Sequence, residues 1–255
     1  MSEERIIRLI PMSNRLIAIA QFCPRGSNVV DVGSGHGKLA LYLRQTGIAD
    51  HVIAVERNTN PLYRVKQLIN SANFQPINID VRSGDGLQPV QADEMEVVCL
   101  AGLSASTIIK ILEPARSKLN QTSRLILQPV ANPEQLRQWL IFNGWGLIDE
   151  QIVAGQSRRL SKIHTILVAE RGKTLSAYQS ELRREDLIYV GPILWQRRDP
   201  LLRYKLQREQ QHWKDALETI LESRLESPIR QNQIINHIDW LQSLINRWYR
   251  TESEI

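Results

Sequence analysis

The sequence predicts an α/β fold in which seven strands form one largely parallel sheet with helices on both faces, followed by a smaller α-helical hairpin. Three observations predict it. Short apolar runs alternate with helical patterns from Asn28 to Ala169, the signature of a parallel sheet covered on both sides. The alternation stops after Gly172, where Ser-, Glu- and Arg-rich sequence begins. Beyond Pro200 the apolar residues recur at spacings of three and four, the period of a coiled-coil seam.

The strands are expected at 28–32, 51–55, 76–82, 95–100, 123–128, 147–153 and 163–169. Between them, helical patterns cover Lys38–Gln45, Pro61–Ala72, Thr107–Leu119 and Pro133–Asn143. Pro61 and Pro133 suit a first helical turn, where a missing N–H costs nothing. Trp145-Gly146 followed by two closely spaced strands reads as a final antiparallel hairpin of the sheet. The change of pattern divides the chain into domains 1–172 and 173–255. Helices are expected from Pro200 to Leu225 and from Ile229 to Arg250, interrupted by Ser227-Pro228. One carries the stripe Ile234, Ile238, Leu241, Ile245 and Trp248, and the other offers Leu206, Trp213, Leu217 and Ile220 as its partner.

Bulk properties narrow the function classes. A chain of 255 residues, 42% apolar and 23% charged, is long enough for one such core and an appendage. No stretch reaches the roughly 20 apolar residues of a membrane span and no apolar signal core follows the first residues, so a cytoplasmic protein is expected. Cys23 and Cys99, far apart in sequence, support neither a disulfide framework nor a metal site and read as packed thiols. The net charge of +5 is gathered in clusters such as Arg158-Arg159, Arg183-Arg184 and Arg197-Arg198, which suit phosphates as well as solvent.

The strongest local signal is the run from Val29 to Gly37, a buried strand entering a glycine-rich turn. Glycines there let the backbone come close to a ligand and adopt positive φ. Such a loop serves either a nicotinamide cofactor or S-adenosylmethionine, and the spacing separates them. The dinucleotide fingerprint needs its third glycine at position 38, which is Lys38, whereas this loop has Gly33, Gly35 and Gly37. Asp31 just before the loop would repel a pyrophosphate and hold the cationic methionine end of S-adenosylmethionine. Glu56 closes the second strand, where a carboxylate accepts from ribose hydroxyls, and Asp85 after the third is placed for the adenine amine. With Ser34, Arg57, Gly86, Ala101, Gly102 and Leu103, these residues make up the expected cofactor site. No metal is required.

At these residues the chain resembles the bacterial tRNA (adenine(22)-N1)-methyltransferases of the TrmK family. The likeness takes in Ser13-Asn14-Arg15-Leu16, the glycine loop with His36, Arg82 to Leu87, Ala101-Gly102, Arg124 to Pro129 and Val190-Gly191-Pro192. It implies a Rossmann-like class I methyltransferase with a C-terminal coiled-coil hairpin, S-adenosylmethionine as cofactor, tRNA as partner, and adenine N1 in the D-arm region as the target. His36 and Gln128 are the candidates for base contact. The chain departs from the family pattern at Gly35, Lys38, Ser104, Ala105 and Val130. Those departures leave two alternatives open: another RNA or other substrate, and a catalytically inactive homologue that binds RNA or a partner. A monomer or weak homodimer fits the hairpin.

Overall fold

The computed structural model describes residues 9–71, 78–155, 162–172, 176–223 and 228–252. The chain divides into two compact units, Met1–Glu181 and Leu182–Ile255. The first unit extends past the expected boundary at 172 to include a 3-10 turn, Ser176–Tyr178, with Tyr178 buried.

The first unit contains β1 (Ser27–Val32), β2 (Ala49–Glu56), β3 (Ile79–Ser83), β4 (Val97–Leu103), β5 (Arg124–Pro129), β6 (Trp145–Ala154) and β7 (Ile163–Arg171). They form one seven-stranded sheet in the order β3-β2-β1-β4-β5-β7-β6, with β7 antiparallel to both neighbours. Strand order reverses between β1 and β4, so a crevice opens beyond their carboxyl ends. The start of the expected third strand, 76–77, lies outside the described residues.

The helices are α1 (Asn14–Gln21), α2 (Lys38–Gln45), α3 (Thr59–Ser71), α4 (Ala105–Leu112) and α5 (Pro133–Phe142). Side chains alternate across a strand. One row, including Val29, Val52, Ala54, Val97, Cys99, Ile126 and Val168, forms a core with Ile19 of α1, Leu39 and Leu43 of α2 and Val65 of α3. Helices α4 and α5 pack on each other and against β4 to β7. Cys23 and Cys99, distant in sequence, bring their free thiols to 3.9 Å of each other in that core.

Two expectations are corrected. The helix expected over Thr107–Leu119 ends at Leu112 and gives way to 3-10 turns at Glu113–Ala115 and Lys118–Gln121. Pro114 is the cause, since it has no N–H to continue the helical ladder. The fourth strand, expected to stop at residue 100, runs to Leu103 through a bulge at Gly102, which sits at φ 78°. Helix α1 was not expected at all, although Ser13 caps it by accepting from the Leu16 N–H.

The second unit holds α6 (Arg184–Val190), α7 (Pro192–Gln196), α8 (Pro200–Ser223) and α9 (Pro228–Glu252). Helices α8 and α9 form the expected hairpin, burying Leu206, Ile234, Leu241, Ile245 and Trp248. Gln210 and Gln242 add a polar pair to the seam at 2.9 Å. Trp195 and Trp248 meet edge to face at 5.1 Å, and the Arg198 guanidinium lies over both rings. These two tryptophans are buried and thus form part of this unit's own core.

The first unit's α5 is anchored to the sheet by Arg137, whose Nε donates to Glu150 of β6 at 2.6 Å, with both side chains fully buried. Removing one partner leaves the other charge uncompensated in the core. Glu150→Ala is therefore expected to cost about 3–5 kcal/mol in denaturant unfolding. The half-exposed contact between Arg116 and Glu113 is the control, and Arg116→Ala is expected to cost under about 1 kcal/mol.

Candidate cofactor and substrate site

The same two-residue alternation that builds the core places the polar site. Asp31 follows Val29, Glu56 follows Ala54 and Gln128 follows Ile126, so each continues a core row at the carboxyl end of its strand, on the face that carries α1. All three are buried.

The loop after β1 is shaped by Gly33, Gly35 and Gly37, at φ 70°, 58° and 66°. The Gly33 N–H donates to the Val55 carbonyl at 2.9 Å, and the Gly37 N–H to the Ser34 carbonyl at 2.9 Å. At Gly37 a Cβ would meet Val65 at 2.8 Å, so the loop lies flush against α3 only because no side chain is there. Gly37 also takes the cap position of α2. His36 is accordingly not the helix cap. It stands exposed beside the loop, with Nε2 3.4 Å from Arg64 Nη1.

Glu56 grips this loop. One of its oxygens accepts the Gly35 N–H at 3.2 Å and the other accepts the Asn58 N–H at 3.0 Å. A carboxylate has about four acceptor positions, so it retains capacity for two hydroxyl donors. Asp85 and Arg57 stand at the rim, 3.9 Å apart and both exposed. Gly33, Glu56, Arg57, Asp85, Gly86 and Leu103 line a single cavity, walled by Thr107 and Ile111. At Gly86 a Cβ would strike Ile111 at 2.9 Å, so glycine keeps this wall thin.

Asp31, Ser34, Gly35, Lys38, Ala101 and Gly102 line the adjoining hollow. Here two buried atoms, Asp31 Oδ2 and Ser34 Oγ, have no hydrogen-bond partner among the described residues. Burial, and next the negative charge of Glu56, push the Asp31 carboxyl up to about 7, against the pull of Arg15. Such a pair answers an ammonium group: the carboxylate is relieved by a cation and the hydroxyl has an acceptor to offer. The α-amino group of S-adenosylmethionine has that chemistry, and the glycine cradle leaves room for it.

Sequence reasoning missed the group that joins these parts. Arg15, from α1, donates to Gln128 Oε1, which also accepts the Gly102 N–H at 3.1 Å. Gln128 Nε2 in turn donates to the Pro129 carbonyl at 2.7 Å. Gln128 is 0% exposed, and both ends of its amide are engaged. It braces the β4 bulge and Arg15 instead of offering a free edge to a base. The signal for Arg15 was present as a cation in the first turn of an unassigned helix. Burial, and then the Arg15 and Lys162 charges, hold the His164 imidazole below its ordinary value, and no sequence motif marks this histidine. Among the described residues no three His, Cys, Asp or Glu cluster to hold a metal ion, and no helix is long and apolar enough to cross a membrane.

Comparison with known proteins gives a consistent picture. Residues 29–242 match the family described as tRNA (adenine(22)-N(1))-methyltransferase, TrmK. A Bacillus subtilis (strain 168) protein of that description is 31% identical over 211 residues, 83% of this chain and 86% of the relative. The crystal structure of the B. subtilis m1A22 tRNA methyltransferase TrmK is similar with a TM-score of 0.80 and 29% identity, covering 93% of this chain and 100% of that one. Streptococcus pneumoniae Sp1610, solved in complex with S-adenosyl-L-methionine, is similar at a TM-score of 0.77 and 28% identity, covering 92% of this chain and all of its own.

The bracing role of Gln128 is open to a direct check. Gln128→Leu keeps the side chain's bulk but strands the Gly102 N–H and Arg15, and is expected to lower unfolding free energy by about 1–3 kcal/mol. Gln128→Glu, which keeps the acceptor but turns a second oxygen toward the Pro129 carbonyl, is expected to lose stability as well in the same denaturant titration.

Proposed function

The chain belongs to the tRNA (adenine(22)-N(1))-methyltransferase family, and on that premise we propose that it transfers a methyl group from S-adenosylmethionine to N1 of adenine 22 in tRNA. The observation that carries the reading is the pair of unpartnered buried atoms, Asp31 Oδ2 and Ser34 Oγ, at the end of the glycine cradle. They ask for a cation where this cofactor has its amino group, and no phosphate would be tolerated beside them.

In this reading Asp31 and Ser34 hold the methionine ammonium, Glu56 accepts from the ribose hydroxyls, and Asp85 accepts from the adenine amine across the cavity walled by Ile111. Gly33, Gly35, Gly37, Gly86, Ala101, Gly102 and Leu103 form the walls, and Arg57 closes the rim. When bound, S-adenosylmethionine supplies an electrophilic methyl on a positive sulfonium. The protein has to bring the target nitrogen in line with it and keep water out. N1 is engaged in pairing whenever adenine is in a helix, so the base has to be extruded. The bulge at Gly102 and the exposed Val130, 56% accessible, border the space it would enter. His36 stands on the loop side and Arg15 between loop and base. The protein acts as a cytoplasmic monomer or weak dimer and uses no metal.

The altered loop is compatible with this activity. Gly35 adopts a left-handed φ and its N–H is already spent on Glu56, so the cradle is closed by backbone without a side chain at that position.

Two measurements test the proposal. Incubating the protein with unmodified tRNA and S-adenosylmethionine is expected to give N1-methyladenosine at position 22 by nucleoside mass spectrometry; a different methylated nucleoside, or none, would contradict it. Cofactor affinity also carries a pH signature. The Asp31 carboxyl is raised to about 7, and a bound cation favours its ionised form. Affinity is therefore lost as pH falls through that value, with Kd rising roughly fivefold from pH 7.5 to 6 once the fuller protonation of the cofactor's amino group is allowed for. Asp31→Asn is expected to weaken binding at pH 7.5 by about tenfold or more and to flatten the profile.

A further inference from the structure

A second cavity of ≈ 340 Å³ adjoins the cofactor hollow and shares Arg15 and Gly102 with it. Its other walls are the start of α1, Gln128 and Val130 at the end of β5, and Gly155, Lys162 and His164 at the ends of β6 and β7. Its neighbour holds one buried acid, Asp31, beside the cations Arg15 and Lys38. Among the described residues no acid lines this cavity, and none occupies the first turn of α1. Arg15 and Lys162 both bear on His164, and with burial they hold its imidazole below the ordinary value. Two positive charges and an imidazole thus converge on one polar hollow. Gln128 fixes the reach of Arg15, while Lys162 is exposed at the mouth.

We propose that this cavity is a phosphate-binding subsite, in which Arg15, Lys162 and His164 hold a phosphate of the nucleotide whose base is presented to the cofactor. The inference rests on the methyl-transfer reading for the identity of that nucleotide, but not for the anion chemistry. A phosphate set between the cations relieves their mutual repulsion and gives each donor an acceptor oxygen. Anchoring the nucleotide by its backbone directs the base toward the shared wall at Arg15 and Gly102, beyond which the methyl donor lies. Exposed Val130 at the mouth supplies an apolar surface for the base or sugar.

The test uses the full chain saturated with S-adenosylhomocysteine and follows the His164 ring signal by NMR during titration with 5′-AMP and, separately, adenosine. The signal is expected to half-saturate at a 5′-AMP concentration at least about tenfold below that for adenosine, and raising the salt should erode this preference. Lys162→Ala, at an exposed position, is expected to cut the preference below about threefold while S-adenosylhomocysteine affinity stays within about twofold. Equal half-saturation, no movement of His164 by either ligand, or a preference that survives Lys162→Ala would overturn the subsite. Methyl transfer to tRNA is assayed on the same preparation. Loss of that activity with the 5′-AMP preference intact counts against the proposed function alone, and activity without the preference counts against the subsite alone.

Discussion

A carboxylate buried at the end of a central strand, with one oxygen lacking any donor, is costly until a cation reaches it, and Asp31 is in that position. The surrounding site follows from that constraint. Glu56 lies close enough to raise Asp31 further, and its own charge is occupied by the backbone of the loop, which it pulls into shape. Arg15 offsets part of the negative charge but is held away by Gln128. The balance leaves a hollow that is short of one positive charge. S-adenosylmethionine carries that charge on its amino group and a second on sulfur, whereas a dinucleotide would bring a negative pyrophosphate to the same place.

Much of this was legible in sequence because it depends on local pattern. Lys38–Gln45 was read with the bounds of α2, since glycine ends and apolar spacing define that helix without help from elsewhere. The acids at the strand ends could be placed by counting, since period-two alternation fixes their face once the strand is known. What sequence did not give depends on contacts between distant segments. Arg15 and Gln128 are 113 residues apart, and nothing in either neighbourhood announces the pair. Gln128 reads in sequence as a polar group facing substrate, yet the α1 cation and the β4 bulge share its oxygen, and its nitrogen donates to the Pro129 carbonyl. The bulge itself, one glycine at positive φ inside an apolar run, has no signature distinct from a strand end.

The two adjoining hollows differ in their acids. Asp31 lies in the one that receives the cofactor, beside Arg15 and Lys38, whereas the described lining of the other carries Arg15, Lys162 and His164 and no carboxylate. Arg15 belongs to both, held by Gln128 and drawn toward Asp31, so cofactor binding and nucleotide binding share a side chain. Its charge is disfavoured by burial and then supported by Asp31, which makes its environment sensitive to whether the neighbouring hollow is filled. Within the second unit, the buried Trp195 and Trp248 serve that unit's own packing.

The claim on which the account turns is that Asp31 is substantially protonated in the free protein near neutral pH and gives up that proton to the cofactor's cation. Calorimetric titration with S-adenosylmethionine at pH 7, repeated in buffers of different ionisation enthalpy, reads the proton balance directly. Release of roughly a third to a half of a proton per cofactor bound is the predicted result, allowing for partial proton uptake by the cofactor's own amino group, with no release in Asp31→Asn. Binding that releases no proton, or the same number in the variant, would contradict it.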